Sequence, residues 1–373
     1  MPTPNSPEPD PPTGPGATAS GKRVVITGAT GNVGSALVRA LALDPEVASV
    51  LGLARRVPHW TIAKTTWAPV DLRDGDATAT LTRYFRDADA VVHLAWMIQP
   101  ARDPVMTWRT NVLGTTRVLR AVAEAQVPAL LYASSVGAYS PGPQDRAVTE
   151  NWPTHGWPEA SYTREKAYVE RLLDAFEPRH PGTRVVRLRP GFIFSREAAS
   201  AQRRLFLGPL VFGPLVRPER SPVVPDVPGL RVQVIRASDA AEAYRRALHA
   251  PVTGAFNIAA DPVVDAALLG RLFDARPVRV PRPLLRTALA AAYGAHLAPA
   301  QPELFDALMR LPVMDCSRAA AELGWRPAFS AERALRDLVH GLREGTGMDT
   351  PPLAARLRHG RLSEFATGIG QRP

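Results

Sequence analysis

The chain predicts an α/β fold built on a doubly wound parallel sheet, and three observations carry that prediction. Short β-branched runs alternate with amphipathic helical stretches from residue 22 to about residue 250. A glycine-rich turn joins the first run to the first helical stretch. Two runs, 89–95 and 129–133, are apolar almost throughout, as strands buried on both faces of a parallel sheet are.

In order, residues 1–20 are rich in proline, glycine and small polar residues and are expected to be disordered, since they cannot bury enough apolar area to offset ordering entropy. The fold is expected to begin near Gly21. Val24-Val25-Ile26-Thr27 reads as a strand, followed by Gly28, Gly31 and Gly34 and a helical pattern through Val33, Leu37, Val38 and Leu41. Gly28 permits a tight turn. Gly31 lets backbone N–H groups approach a pyrophosphate at a helix N-terminus, and Gly34 lets helix and strand lie close.

Residues 49–54 read as a second strand, ending in Leu53-Ala54-Arg55-Arg56. An acid at this position would accept a hydrogen bond from an NAD ribose 2′-hydroxyl. Two guanidiniums and no carboxylate suit a 2′-phosphate instead, so NADP is expected over NAD. Strands are further expected at 67–72, 89–95, 129–133 and 184–189, the last stopped by Pro190, with helices at 76–84, 107–125 and 161–176. Ligands of such a sheet sit beyond the carboxyl ends of its strands, where Asp71, Ala95 and Ser135 fall. Beyond 190, the apolar run 205–212 is broken by Gly208 and Pro209, and 217–229 reads as extended loop. Val232–Ile235 reads as a strand, Ser238-Asp239 as the cap of a helix to about Ala250, and 256–259 as a short strand. Helices are expected near 264–273, 282–297, 302–310 and 330–343, and the tail after Gly347 shows no core pattern.

Composition bounds the function. Of 373 residues, 45% are apolar, with no run long enough to span a membrane and no apolar leader, so a cytoplasmic location is expected. Cys316 is the only cysteine, which rules out an intramolecular disulfide and a cysteine-based zinc cluster. His59, His155 and His249 show no metal-ligand spacing, and no metal is expected. The net charge of +10 comes from dispersed arginines without a basic helix or aromatic interleaving, so no specific nucleic-acid partner is expected. The expected partner is a small-molecule substrate.

The chemistry is carried by Tyr162 and Lys166, four apart on one face of an expected helix. With 7 tyrosines among 373 residues and only Lys22, Lys64 and Lys166 as lysines, chance places about 0.06 such pairs at this helically useful spacing. A nearby ammonium favours phenolate, so Lys166 is expected to lower the Tyr162 pKa. Ser135, at a strand end, can hydrogen-bond the same substrate oxygen. The three would move one proton while a nicotinamide moves a hydride.

These residues resemble the extended short-chain dehydrogenases/reductases, often labelled the NAD-dependent epimerase/dehydratase family, from about Lys22 to Gly345. The matching pieces are Thr27-Gly28-Ala29-Thr30-Gly31-Asn32-Val33-Gly34, Asp71-Leu72, His93-Leu94-Ala95, Asn111 to Thr115, Ser134-Ser135, Tyr162 with Lys166, Arg189-Pro190, and Leu323-Gly324-Trp325-Arg326-Pro327. The resemblance implies a Rossmann-like sheet over 21–191 that also recruits about 230–250, with the strand near 232–235 joining it. It implies a smaller, discontinuous substrate-binding lobe from 192–229 and 251–345, leaving 346–373 as a tail. It implies Tyr162 as acid–base, Lys166 on the nicotinamide ribose and Ser135 polarising the reacting oxygen. Gly28, Thr30, Gly31, Asn32, Val33, Gly34, Arg55, Arg56, Asp71, Leu72, Leu94, Ala95, Asn111 and Pro190 are the expected cofactor contacts. Relatives often dimerise through helices matching 107–125 and 161–176, which implies a homodimer.

Departures from the family pattern narrow the substrate. Trp96 replaces a small residue and would either shape the pocket or fill core. Ser135-Val136-Gly137 stands where sugar-nucleotide dehydratases carry Thr-Asp-Glu, which counts against water elimination. Gly191 to Ser195 replaces Tyr-Gly-Pro, and the apolar segment 205–216 suggests a substrate less polar than a nucleotide sugar. His93 is expected to be structural, and the Trp152–Trp157 loop either overhangs the substrate or packs. The expected activity is an NAD(P)-dependent oxidoreductase. The alternatives are a nucleotide-sugar epimerase that retains NAD and a non-catalytic dinucleotide sensor.

Overall fold

Seven parallel strands form the central sheet of the computed structural model, which describes residues 21–356 except 100, 144 and 210–221, together with residue 366. The expected disordered segment 1–20 lies outside the described residues. Strands β1 (Lys22–Thr27), β2 (Val47–Ala54), β3 (Thr65–Pro69), β4 (Ala90–His93), β5 (Ala129–Ala133) and β6 (Arg184–Pro190) belong to this sheet. A second sheet of three strands holds β7 (Phe192–Phe194), β8 (Val232–Arg236) and β10 (Ala260–Val264), while β9 (Gly254–Ile258) completes the first. The main order is β9-β6-β5-β4-β1-β2-β3. The order reverses beside β1, which creates the crevice where ligands of such sheets sit.

The strands alternate their contacts with period two. Val24 and Ile26 pack with Leu37, Val38 and Leu41 of α1 (Asn32–Ala42) and with Ala240 and Tyr244 of the helix Ala237–His249. Val25 faces the opposite layer, with Leu81 and Phe85 of α2 (Ala77–Phe85), Val118 and Val122 of α3 (Gly114–Glu124), and Val169 and Leu173 of α4 (Ser161–Phe176).

The structure revises several expectations. The strand 232–236 does not join the main sheet; it pairs with β7 and β10. The edge position beside β6 is taken by β9, which returns in parallel after the crossover helix Ala237–His249. Ser238-Asp239 does not cap that helix, which starts at Ala237. Buried Asp239 instead accepts the Phe329 N–H through Oδ2 (3.1 Å), and its carbonyl accepts the Trp325 indole N–H (3.0 Å). Part of the expected loop 217–229 is a strand, Val223–Asp226, paired with Arg276–Arg279. The expected helix 107–125 is interrupted by a π-helical turn, Arg109–Leu113, set between Pro104–Trp108 and α3. The tail is partly built into the fold, with Thr350 and Leu353 both buried.

Candidate active site

One cavity of about 740 Å³ runs along the carboxyl ends of the main strands. Gly28, Ala95, Ser135 and Pro190 stand at or just past the ends of β1, β4, β5 and β6 and all line it. The turn after β1 is shaped by its glycines. Gly28 has φ +72°, and a Cβ there would lie 2.6 Å from the Ala95 nitrogen. A Cβ on Gly34 would lie 2.3 Å from the Gly28 carbonyl oxygen, so only glycine lets α1 start this close to β1. At Gly31 the nearest atom to such a Cβ is 3.4 Å away, because this residue faces the cavity. No side chain caps α1, which leaves its N-terminal dipole turned toward an anion. A dinucleotide pyrophosphate fits this cradle. Thr30, Asn32 and Val33 complete the lining, with Asn32 held from behind: its Nδ2 donates to Ile193 O (3.1 Å) and its Oδ1 accepts from Ser195 Oγ (2.8 Å).

At one end of the cavity lie Arg55, Arg56, Asp71 and Leu72. Arg55 and Arg56 are exposed past the end of β2. Asp71 is engaged by its neighbour Arg73, whose Nε and Nη2 donate to the carboxylate at 2.5–3.1 Å. Burial alone would raise the Asp71 pKa; the Arg73 side-chain and backbone donors outweigh it and hold the carboxyl below its ordinary value. Among the described residues, two guanidiniums, Arg55 and Arg56, and one carboxylate, Asp71, thus line this end.

Further along the cavity are Ser135, Tyr162 and Lys166. The Tyr162 hydroxyl donates to Ser135 Oγ at 3.0 Å, and that oxygen also accepts the Gly137 N–H at 3.0 Å. Lys166 Nζ donates to Ala133 O at 2.6 Å and lies 3.5 Å from the centre of the Trp96 ring. Trp96 meets Tyr162 edge-on with ring centroids 6.1 Å apart and lines the cavity, so it shapes the pocket. The expected effect of Lys166 on Tyr162 is not what the geometry gives. Burial pushes the Tyr162 hydroxyl above its ordinary value and the Ser135 hydrogen bond pulls it back, while Lys166 Nζ is engaged by Ala133 O and the indole face. Burial also pulls Lys166 well below the ordinary lysine value, against the opposing influence of Glu170 and Glu165.

Behind this group is a buried charge network. Glu170 accepts from Ser134 Oγ (2.5 Å), Arg187 Nη1 (2.8 Å) and Arg189 Nε and Nη2 (2.9 and 3.0 Å). Burial opposes its charge, yet the two guanidiniums and Ser134 bring its pKa down to about 2.

The other expected residues divide. Leu94, Ala95 and Pro190 line the cavity, but Asn111 does not. Its amide is consumed within the protein: Nδ2 donates to Met97 O (2.7 Å) and Glu165 Oε2 (2.6 Å), while Oδ1 accepts the Met97 N–H (2.7 Å). The π-helical turn carries Asn111 into this position, where it fixes the segment after β4. His93 is buried and bonded at both nitrogens, to Thr27 Oγ1 (2.6 Å) and Thr115 Oγ1 (2.9 Å). The Thr115 hydroxyl proton goes to Asn111 O, so His93 donates through Nε2 and accepts at Nδ1. Burial, reinforced by Lys166, takes its pKa down to about 3, and the ring is neutral and structural. Trp152 and Trp157 pack in their loop and do not line the cavity; the Trp152 indole donates to Ser140 O and Trp157 lies under Arg310. Asp44, Glu46 and His249 converge as well, but Arg245 already donates to Asp44 Oδ2 (3.1 Å), so the group is an ion-pair network.

Sequence reasoning missed the C-terminal wall. Thr350 Oγ1 donates to Thr30 O at 2.9 Å, and Pro351, Pro352 and Leu353 line the cavity beside the glycine turn. Arg204 Nη2 secures the same segment through Ala354 O (2.8 Å). Hydrophobic periodicity has no purchase on so short an irregular strap. Among the described residues no helix is long and apolar enough to cross a membrane.

Several known proteins are similar to this chain. An uncharacterized protein of Mycobacterium tuberculosis (strain H37Rv) is 25% identical over 359 residues, covering 94% of this chain and 90% of its own length. The L-arabinose 1-dehydrogenase (NAD(P)(+)) of Haloferax volcanii is 30% identical over 187 residues, 47% of this chain and 68% of that protein. The structure of Thermus thermophilus UDP-glucose 4-epimerase in complex with NAD superposes with a TM-score of 0.62 at 23% identity, covering 86% of this chain and 99% of the other, a likeness of fold. The model of the NAD dependent epimerase/dehydratase family matches residues 24–259. That match takes in the glycine turn, Ser135, Tyr162 and Lys166, so the cavity and the family agree, and the chain belongs to the NAD dependent epimerase/dehydratase family as an enzyme of the short-chain dehydrogenase/reductase type.

Proposed function

We propose that this enzyme is an NADP-preferring oxidoreductase that reduces a carbonyl group, with Tyr162 as the proton donor. The observation that carries this reading is the Tyr162 hydroxyl donating to Ser135 Oγ at 3.0 Å in the same cavity as the glycine turn and Lys166. Because burial raises its pKa, Tyr162 is protonated at neutral pH and poised to give a proton to a carbonyl oxygen. Ser135 orients that oxygen, and the Gly137 N–H holds Ser135 in place. Gly28, Thr30, Gly31, Asn32, Val33 and Gly34 would hold the pyrophosphate, and Leu94, Ala95 and Pro190 the nicotinamide half. Lys166, turned from Ala133 O, would reach the ribose. Asp71 and Leu72 would flank the adenine, with Arg55 and Arg56 receiving a 2′-phosphate. A bound reduced nicotinamide supplies the hydride. Residues 21–191 with about 230–250 would carry the dinucleotide, and 192–229 with 251–345 the substrate.

The test is Tyr162→Phe. Turnover should fall by about 10³-fold, near the middle of the range for removing a general acid, while the NADPH dissociation constant stays within twofold. Unchanged turnover would sink the mechanism. A second reading, an epimerase with retained NAD, draws support from the Thr350 bond to Thr30, which would slow dinucleotide exchange. Purified protein carrying stoichiometric NAD and inert toward external NADPH would favour it.

A further inference from the structure

The cavity continues past Tyr162 into a chamber walled by three segments. The loop after β4 brings Trp96, Met97 and Ile98; the helical turn Arg203–Leu207 brings Phe206; and the helix Pro302–Leu308 brings Phe305 and Leu308. Hydrogen bonds fix the walls to one another. Gln99 Nε2 donates to both Leu205 O (3.0 Å) and Pro299 O (2.9 Å), and Gln301 Nε2 donates to Ala101 O (2.5 Å). Met97 is buried, while Ile98, Phe206, Phe305 and Leu308 are half-buried, as side chains lining a hollow are.

Among the described residues, the charged ones lining the cavity are Arg55, Arg56, Asp71, Lys166 and Arg204. The first three stand past β2 and β3, Lys166 stands beside Tyr162, and Arg204 is tied to Ala354 O in the C-terminal strap. Of the five, Arg204 shares the helical turn that brings Phe206 to the chamber, with its guanidinium donating to Ala354 O; the other four stand at the strand ends or beside Tyr162. Among the described residues of these walls the one cation is Arg204, already donating to Ala354 O, so the two charged phosphates of a nucleoside diphosphate would meet mostly apolar surface there, at a desolvation cost that a hydrocarbon body does not incur. Burial of apolar substrate surface, by contrast, is favourable over the full wall.

We propose that the substrate of this site is a bulky apolar ketone or aldehyde, alicyclic or aromatic and free of phosphate, whose hydrocarbon body fills this chamber while its carbonyl oxygen reaches Ser135 and Tyr162. The proposal rests on the carbonyl-reductase reading above. In the reaction the carbonyl carbon gains the hydride and its two electrons from the reduced nicotinamide dinucleotide. The carbonyl oxygen gains the Tyr162 proton, the product is the alcohol, and the tyrosine recovers its proton from solvent.

The experiment compares 2-decalone with UDP-glucose. Calorimetric titration of each into protein saturated with NADP reads binding, and NADPH oxidation with 2-decalone and epimerisation of UDP-glucose read turnover. Binding and reduction of 2-decalone with no heat from UDP-glucose is the expected result. Leu308→Glu should raise the KM for 2-decalone about tenfold or more, the size of placing a charge in an apolar pocket, and leave NADPH affinity unchanged. Tighter binding of UDP-glucose, or no binding of 2-decalone by protein that binds NADPH, overturns the substrate class and leaves the dinucleotide reading standing. Failure to bind either NADPH or NADH removes the reductase reading and the proposal with it.

Discussion

His93 shows how a single buried residue can govern the response to acid. Its ring is neutral, bonded between Thr27 and Thr115, with a pKa of about 3 against an ordinary 6.5. The unfolded chain therefore binds a proton that the folded chain refuses as pH falls below 6.5. Stability is full above 6.5 and is lost at about 1.4 kcal/mol per pH unit below it. Glu170 adds its own loss only below its ordinary value of 4.5, as pH falls toward about 2. Urea unfolding between pH 6.5 and 4.5 should thus show the His93 slope, and His93→Gln should remove most of it. Arg55 can be tested at the same scale. Arg55→Asp places an acid at the end of β2, and the ratio of NADPH to NADH affinity should fall by about 100-fold, the loss of a charge-assisted contact of about 2.7 kcal/mol. An unchanged ratio would refute the assignment of this end of the cavity to a 2′-phosphate.

At the scale of elements, the site is a meeting of strand ends with segments that carry no periodic signal. The ends of β1, β4 and β5 were legible because short apolar runs and glycine spacing are local properties. The π-helical turn at Arg109–Leu113 was not, since 107–125 keeps an unbroken helical period while Asn111 turns inward to Met97 and Glu165. The C-terminal strap was equally hidden. The Thr350 bond to Thr30 O ties it to the glycine turn. Thr350→Val keeps the side-chain shape and removes the donor. NADPH affinity should fall by about tenfold, equal to one hydrogen bond of about 1.4 kcal/mol, and the dissociation rate should rise accordingly. Unchanged affinity and dissociation would reduce the strap to a passive cover.

Across the whole molecule, the main sheet is tied to the C-terminal region by Trp325. The indole is fully buried in the same cluster as Ile26, Leu37 and Ala240, and its N–H donates to Asp239 O. Asp239 in turn holds the Phe329 N–H near the start of the helix Ala331–Glu344. Trp325→Ala should cost about 3–5 kcal/mol of folding stability through the cavity it leaves. Trp325 does not line the site, so NADPH affinity measured below the lowered melting temperature should hold; a parallel loss would show that the C-terminal region shapes the cradle.

The sequence by itself determined the sheet, the glycine turn and the placing of Tyr162 and Lys166 on one helix, because each depends on spacing along a strand, a turn or a helix. The place of β9 at the sheet edge, the inward turn of Asn111, the preoccupied ammonium of Lys166, the strap at Thr350 and the apolar chamber were decided only by the tertiary structure. Each of these joins residues far apart in the chain, and each depends on burial and on hydrogen-bond partners that exist only once the layers have packed.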